Sequence, residues 1–263
     1  MRQLFYRKRK FFDDDFDWDT YTPDTYDRKL TRSVRPVAPA AQLGFDTESG
    51  TIRSEGAALH PNQQLILEVI GRLRPTTVHE VGCGSGDLIA SVKSVFPEVA
   101  VTAGERGAAQ LDFAVERHPD LKGKIGLQDI TMPFCHRWPR AELVYTQAVV
   151  MHLHTAVSHF VALANIVRTA QKHVLLVENH QCHNFVRDIE NLYENGHLAW
   201  EQLSIQRVDG STGARGILLS KAPLDLPVLR TDIEIRDGEE LSIRRLMRAD
   251  EGSMRGLFGF DRV

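Results

Sequence analysis

Apolar residues recur along the central part of the chain with two spacings, one typical of helices and one typical of strands. Leu65, Ile66, Val69, Ile70 and Leu73 lie at helical intervals, and Pro75 ends that run. Further helices are predicted after the glycines at 82–86, around residues 109–114 and over residues 158–170. Short β-like runs lie between the helices, at residues 76–80, 99–104, 124–130, 142–147 and 173–179.

Strands that alternate with helices predict an α/β fold, in which a doubly wound and mostly parallel sheet carries helices on both faces. Two later runs, Leu203–Val208 and Arg215–Ser220, flank a Gly/Ser/Thr turn and predict an antiparallel hairpin at the C-terminal end, which completes seven strands. Ligands of such sheets bind at the carboxyl ends of the parallel strands. We therefore expect one crevice to collect the residues at those ends: Glu80–Gly86, Glu105, Gln128–Ile130, Tyr145–Gln147 and Glu178–His183.

The flanking segments differ in composition from this α/β region, which we assign to residues 59–221. Residues 1–58 start with a basic run and continue with aromatic residues among acids, so we interpret them as an arm and linker. The aromatic residues of this arm would pack on the domain or close as a lid over the substrate. The candidates for substrate binding are Trp18, Tyr21 and Tyr26. Residues 34–56 predict a linker or loop. Residues 222–263 are a polar C-terminal extension, with one helix predicted from Glu239 to Ala249.

A glycine-rich turn separates the first strand from its helix. The sequence Glu80-Val81-Gly82-Cys83-Gly84-Ser85-Gly86 places three glycines at alternate positions, which allows a sharp turn and contact between backbone and ligand. The spacing differs from the G-x-G-x-x-G of dinucleotide-binding folds and so disfavours an NAD-dependent oxidoreductase. It resembles the [D/E]-x-G-x-G-x-G motif of class I S-adenosylmethionine-dependent methyltransferases. The resemblance covers roughly residues 59–220.

This resemblance implies S-adenosylmethionine as the cofactor and assigns residues to its two ends. Glu80 and the glycines Gly82, Gly84 and Gly86 would hold its methionine and ribose portions. Glu105, which lies 25 residues after Glu80, would accept hydrogen bonds from the ribose hydroxyls.

The resemblance extends to two later motifs. Asp129 and Ile130 match the third motif, in which the acid binds the adenine amino group and its neighbour packs on the ring. Residues 141–152 are similar to the fourth motif, with Glu142 where the family usually has Asp. This implies that Thr146 and Gln147 lie beside the cofactor near the transferring methyl group.

A hydroxyl acceptor also needs a general base, and histidine is the usual candidate near neutral pH. We predict His152 or His180 as that base, because both follow predicted strand ends, and we predict that Glu178 and His183 contact the substrate. These side chains are also suitable metal ligands. Their spacing on a loop defines no coordination geometry and no HExxH helix is present, so no metal is predicted.

Composition and charge limit the kinds of partner that the chain can be expected to bind. The 263 residues carry a formal net charge of -3, which argues against broad nucleic-acid binding. The cysteines Cys83, Cys135 and Cys182 form no CxxC pair, so neither a disulfide framework nor a zinc ribbon is indicated. No apolar run approaches the ~20 residues that span a bilayer, and the basic N-terminus lacks an apolar signal region. A cytoplasmic location is expected, and the oligomeric state stays open, a dimer included.

These observations favour a methyltransferase that uses S-adenosylmethionine to O-methylate a small-molecule or sugar-containing substrate, by in-line transfer with a histidine base. Residues 129–154 are similar to the corresponding block of small-molecule and sugar methyltransferases from bacterial polysaccharide or secondary metabolism. Two alternatives stay open. One is an N-methyltransferase acting on a small amine or peptide, and the other is a non-catalytic Rossmann-like protein that serves as a binding or scaffold subunit.

Overall fold

A computed structural model describes residues 42–55, 59–154, 156–180, 182–224 and 226, and the backbone of three short strands between 235 and 248. Trp18, Tyr21 and Tyr26, the predicted substrate residues of the arm, lie outside the described residues. Five α-helices are described: α1 Pro61–Leu73, α2 Asp87–Val95, α3 Ala108–Arg117, α4 Ser158–Thr169 and α5 Phe185–Glu194. None of these helices is long and apolar enough to cross a membrane.

The strands fall into a main sheet and two small hairpins. The described strands are β1 Gln42–Asp46, β2 Thr51–Glu55, β3 Thr77–Val81, β4 Ala100–Glu105, β5 Ile125–Leu127, β6 Ala141–Gln147, β7 Ala170–Val177, β8 Gln202–Asp209, β9 Arg215–Ser220, β10 Ile235–Arg236, β11 Glu239–Glu240 and β12 Arg244–Arg248. The main sheet has the order β12-β8-β9-β7-β6-β3-β4-β5. Strands β3 to β7 are parallel, and β9 is antiparallel to both β7 and β8. The predicted seven-stranded sheet with its C-terminal hairpin is therefore confirmed.

An eighth strand extends this sheet at the β8 edge. Arg244–Arg248 pairs antiparallel with Gln202–Gln206, so the helix predicted from Glu239 to Ala249 is wrong. The polar sequence of this segment has no strong helical or strand spacing of apolar residues. The free hydrogen-bonding edge of β8 therefore decides that the segment forms a strand.

A β-hairpin precedes the α/β region. Its strands β1 and β2 lie within residues 34–56, where the sequence predicted a linker or loop. Ile52 is buried in the core, and the Phe45 ring packs on Gly71 of α1 and lies 5.8 Å from the Phe96 ring. A short hairpin of this kind is stabilised mainly by what it covers.

Alternate residues of the central strands supply two cores, one on each face of the sheet. Leu143 and Tyr145 of β6 pack with α1 and α2 on one face, whereas Val144 packs with α4 and α5 on the other. All three are fully buried, as expected for a parallel strand covered by helices on both sides. This burial fixes the strand ends that form the site.

Candidate functional site

The glycine turn joins β3 to α2 through three left-handed residues. Gly82, Gly84 and Gly86 have φ values of 75°, 54° and 76°, a region that side chains other than glycine rarely adopt. A Cβ on Gly82 would collide with the Val149 side chain. A Cβ on Gly84 would have nothing closer than Gln110 Nε2 at 3.8 Å, so at Gly84 the backbone borders open space.

Glu105, at the end of β4, holds this turn from the neighbouring strand. Its side chain is 5% exposed and accepts hydrogen bonds from the Gly84 N–H at 2.9 Å and the Gly107 N–H at 3.0 Å. The Gly104 carbonyl accepts from the Gly82 and Cys83 N–H groups. Each carboxylate oxygen keeps capacity for a further donor. Glu105 therefore supports the turn and can still receive hydroxyl groups of a ligand.

Glu80 is buried directly beneath the turn. The Tyr145 hydroxyl donates to its carboxyl group at 3.1 Å. Burial raises the pKa of Glu80 to about 8, and the nearby Glu105 charge adds to the rise, whereas the Tyr145 hydrogen bond opposes it. The glutamate thus stays mostly protonated near neutral pH until a cation approaches it.

A cleft opens at the carboxyl ends of β3 to β6. Four of the predicted cofactor residues line it: Gly82, Gly84, Glu105 and Ile130. The other predicted cofactor residues, Glu80, Gly86, Asp129, Thr146 and Gln147, are not among the residues that line the cleft.

Asp129 is already engaged by protein groups. Its Oδ1 accepts from the Thr131 N–H at 3.0 Å and the Thr131 hydroxyl at 2.6 Å, and its Oδ2 lies 3.3 Å from Arg106 Nε. The next residue, Ile130, is buried and held in place by Asn165, which donates to the Ile130 carbonyl at 2.8 Å. The Ile130 position suits an adenine ring, whereas Asp129 would have to share its oxygens with the adenine amino group.

Two glutamines line the cleft, of which Gln128 was expected in the crevice without an assigned role and Gln110 was not predicted. Gln110 and Gln128 are 3% and 6% exposed, and among the described atoms Gln110 Oε1 and Gln128 Nε2 have no hydrogen-bond partner. Buried polar atoms are normally paired, so these two mark places for polar ligand atoms. The sequence placed Gln128 at a strand end, which was the available signal; Gln110 lies within a helix and offered none.

A buried histidine orients Gln128. His79 of β3 lies 2.8 Å from Gln128 Oε1 through Nε2 and 2.9 Å from the Thr102 hydroxyl through Nδ1. Burial lowers the pKa of His79 to about 4, so the ring is neutral and carries one N–H. With the Nε2–H donating to Gln128 Oε1, the Gln128 NH₂ group is turned away from His79. Nδ1 then faces the Thr102 hydroxyl, which also lies 3.4 Å from the Val78 carbonyl.

Glu178 supports the loop after β6. Its carboxylate accepts from the Thr146 hydroxyl at 2.6 Å, from the Val149 N–H at 3.0 and 3.1 Å, and from the Met151 N–H at 3.1 Å. Burial raises the pKa of Glu178 and these hydrogen bonds oppose the rise. Glu178 was predicted to contact substrate; the structure places its oxygens on the backbone of the cleft wall, and Thr146, predicted to meet the cofactor, bonds to the same carboxylate.

The histidines after β6 and β7 divide into two environments. His152 is half-buried and ends the short 3₁₀ turn Val150–His152, whereas His180 is exposed and contacts the Phe185 ring edge at 5.8 Å. His183 stacks on His159 with ring centroids 4.3 Å apart, and the His154 ring lies 5.5 Å from it. Burial, together with His159 and His154, lowers the pKa of His183 to about 4.

No family model matches the chain and no curated protein matches it. Among solved structures, DesVI of Streptomyces venezuelae is similar with a TM-score of 0.47 at 12% identity, over 61% of this chain and 91% of that one. The methyltransferase domain of the bacterial protein CtHen1-C has a TM-score of 0.46 at 13% identity, over 60% and 97%. Magnesium protoporphyrin IX methyltransferase (ChlM) of Synechocystis, solved with bound S-adenosylmethionine, has a TM-score of 0.45 at 14% identity, over 83% and 91%.

These similarities are distant, and the fold is defined by the chain's own topology. The strand order β5-β4-β3-β6-β7-β9-β8, with β9 antiparallel to its two neighbours, is that of the class I methyltransferases. The chain has the class I methyltransferase fold, and its glycine turn and Glu105 lie at the strand ends where ligands of such sheets bind.

Proposed function

We propose that this protein is an S-adenosylmethionine-dependent methyltransferase. The observation that carries the proposal is the Glu105 carboxylate, which bridges the Gly84 and Gly107 N–H groups at the edge of the cleft. A buried acid at the end of the second parallel strand, with acceptor capacity left, suits the two vicinal hydroxyls of a ribose.

The rest of the cleft suits the nucleoside and its amino-acid end. Gln128 Nε2 offers a donor, Gln110 Oε1 offers an acceptor, and Ile130 offers an apolar surface for adenine. The open space beside Gly84 admits a ligand against the backbone. Glu80, whose proton is held by burial, becomes a counter-charge once the ammonium group of the cofactor approaches.

We further propose O-methylation of a small-molecule or sugar-containing acceptor, with His152 as the general base. S-adenosylmethionine, when bound, supplies a methyl group already activated by its sulfonium sulfur. The chain's part is to align the acceptor oxygen with the methyl carbon and to exclude water. His152 is favoured over His180 because its neighbours Val149 and Leu153 line the cleft, whereas His180 is exposed. His152 would take the acceptor proton as the new C–O bond forms and the C–S bond breaks.

Calorimetry with S-adenosylmethionine and S-adenosylhomocysteine tests the cofactor. We expect one site per chain for each ligand. Glu105→Gln keeps one acceptor oxygen but places an amide NH₂ against a backbone N–H and a ribose hydroxyl, and should weaken both affinities by roughly 10- to 100-fold. Absence of binding by the wild-type chain would remove the methyltransferase proposal altogether.

Transfer of labelled methyl from S-adenosylmethionine to panels of phenols, sugars and amines tests the acceptor. With a hydroxyl acceptor, His152→Ala should lower kcat by roughly 10²- to 10⁴-fold, the usual contribution of a general base, with the cofactor affinity unchanged. His180→Ala provides the comparison for the second histidine. Unchanged rates in both variants, or transfer to amines alone, would favour N-methylation instead.

A further inference from the structure

Two histidines and an aspartate from three separate segments meet beside the cleft wall. His159 lies in the first turn of α4, His183 in the loop between β7 and α5, and Asp188 in the first turns of α5. One ligand atom from each lies within 4.8 Å of the others, and His159 Nε2 is 3.8 Å from Asp188 Oδ2. All three side chains are half-buried. Nothing in the proposed methyl transfer uses this cluster.

His183 offers a ligand atom that the protein leaves unused. Its Nε2 is buried and has no hydrogen-bond partner among the described atoms. An imidazole nitrogen of this kind can bind a metal ion through its lone pair.

We propose that His159, His183 and Asp188 bind a divalent transition-metal ion of the zinc class. Two imidazoles and one carboxylate favour zinc and its neighbours over magnesium or calcium, which prefer oxygen ligands alone. Three protein ligands leave a position open for water or another molecule. The Phe160 and Phe185 rings, centred 4.0 Å from His159 and 5.6 Å from His183, supply the apolar surroundings that strengthen such bonds.

Binding requires a small rearrangement. Zinc bonds of ~2.0–2.2 Å place tetrahedral ligand atoms roughly 3.4 Å apart, so ligand atoms that now lie up to 4.8 Å apart must approach each other. A metal ion lies in the plane of each imidazole that binds it, and the His159 and His183 rings are stacked only 11° from parallel. One ring must therefore rotate out of the stack when the ion enters.

The ion would act on the cleft through His183. The His154 ring is centred 5.5 Å from that of His183, and His154 follows the cleft-lining Leu153, so fixing His183 restrains this segment of the cleft wall. The cluster thus joins α4, α5 and the cleft wall through one ion.

Zinc calorimetry on metal-free protein at neutral pH tests the site independently of any methyl transfer. The wild-type chain should bind one Zn²⁺ ion, with Mg²⁺ giving no heat, and its Tm should rise with Zn²⁺. Asp188→Asn and His159→Gln should each weaken binding on the order of 100-fold. His136→Gln, at an exposed histidine outside the cluster, should bind as the wild type does.

The absorption spectrum of the wild-type chain with bound cobalt(II) shows whether the metal ion binds at this site or at a cysteine, and it requires no variant. Imidazole and carboxylate ligands give weak visible bands, whereas binding through Cys182 or another thiolate adds an intense charge-transfer band. A thiolate band, no saturable binding of Zn²⁺, or equal affinity in the wild type and in both cluster variants would overturn the proposal.

Discussion

Gly82 and Gly84 lie two residues apart in one turn and are required for different reasons. Both have positive φ, but only Gly82 is packed against another side chain, that of Val149. Both line the cleft, and at Gly84 the space that a Cβ would take is open. Packing within the protein therefore requires Gly82, whereas at Gly84 only the backbone conformation requires glycine.

Alanine at each position should separate folding from binding. Gly82→Ala should lower the free energy of unfolding by about 2–4 kcal/mol, through positive φ and overpacking against Val149. Gly84→Ala should lower it by only about 1–2 kcal/mol, from φ alone, yet abolish S-adenosylhomocysteine binding. Thermal unfolding and calorimetry on both variants provide the comparison. Normal ligand affinity in Gly84→Ala would contradict the assignment of this space to the cofactor.

Glu80 should make stability fall as the pH rises. Its pKa is about 8 in the folded chain and 4.5 when unperturbed, so between these values the unfolded state holds fewer protons than the folded state. Stability contributed by the protonated form is present below pH 4.5 and is lost as the pH rises towards 8. Glu80→Gln removes this dependence. The Tm of the variant should therefore rise relative to that of the wild type as the pH is raised from 4.5 to 8.

Tyr145→Phe is the matched control for Glu80. It removes the hydroxyl that opposes the pKa rise but keeps the carboxyl group, so the fall in stability with pH should persist. The Tm difference between Glu80→Gln and the wild type could instead stay constant from pH 4.5 to 8. That result would show that folding leaves the pKa of Glu80 unchanged.

In the loop after β6, one carboxylate bonds to several residues. Glu178 at the end of β7 accepts from Thr146, Val149 and Met151, and so fixes Ala148 and Val149 where they line the cleft. The carboxylate therefore positions the backbone of the cleft wall.

Glu178→Gln should therefore destabilise the chain and weaken cofactor binding together. The amide keeps one acceptor oxygen but turns an NH₂ group towards backbone donors, which should lower the free energy of unfolding by about 2–3 kcal/mol. Thr146→Val removes one hydrogen bond only and should have about half that effect. The measurements are chemical denaturation and S-adenosylhomocysteine affinity. If Glu178→Gln matched the wild type in both, the loop would not depend on this residue.

At the scale of the whole molecule, the α/β domain is extended at both ends of the chain. We propose residues 59–221 as the methyltransferase domain, with the arm before it and the extension after it. The β1–β2 hairpin contributes Ile52 and Phe45 to the core of that domain. Strand β12 covers the edge that β8 would otherwise expose.

Truncated chains test how much the β1–β2 hairpin and strand β12 contribute to stability and solubility. A fragment of residues 59–221 should unfold at a lower temperature than one of residues 42–221, because it loses the buried Ile52 and the partly buried Phe45 of the hairpin, which stabilise by about 1–2 kcal/mol each. Both fragments lack β12 and should associate through the open β8 edge more than the full chain, as light scattering would report. Equal Tm values for the two fragments would show that the hairpin adds no stability.

Much of the fold and part of the candidate site followed from local sequence. Strand and helix periods act within a few residues, and parallel strands necessarily place their carboxyl ends on one edge. The glycine turn, Glu105 and Ile130 could therefore be placed together before any tertiary contact was known. The helix predicted at Glu239–Ala249 failed because a weakly patterned segment takes its conformation from the edge it meets.

The sequence by itself determined that this chain is a mostly parallel α/β sheet with a glycine turn between the first strand of that sheet and its helix, because backbone geometry and apolar spacing are local properties. Only the tertiary structure decided the partners of the polar side chains. His79 meets Gln128 across 49 residues, Glu178 bonds to the loop after another strand, and His159, His183 and Asp188 converge from three segments. Packing brings these groups within bonding distance, and the spacing of residues along the chain does not predict these contacts.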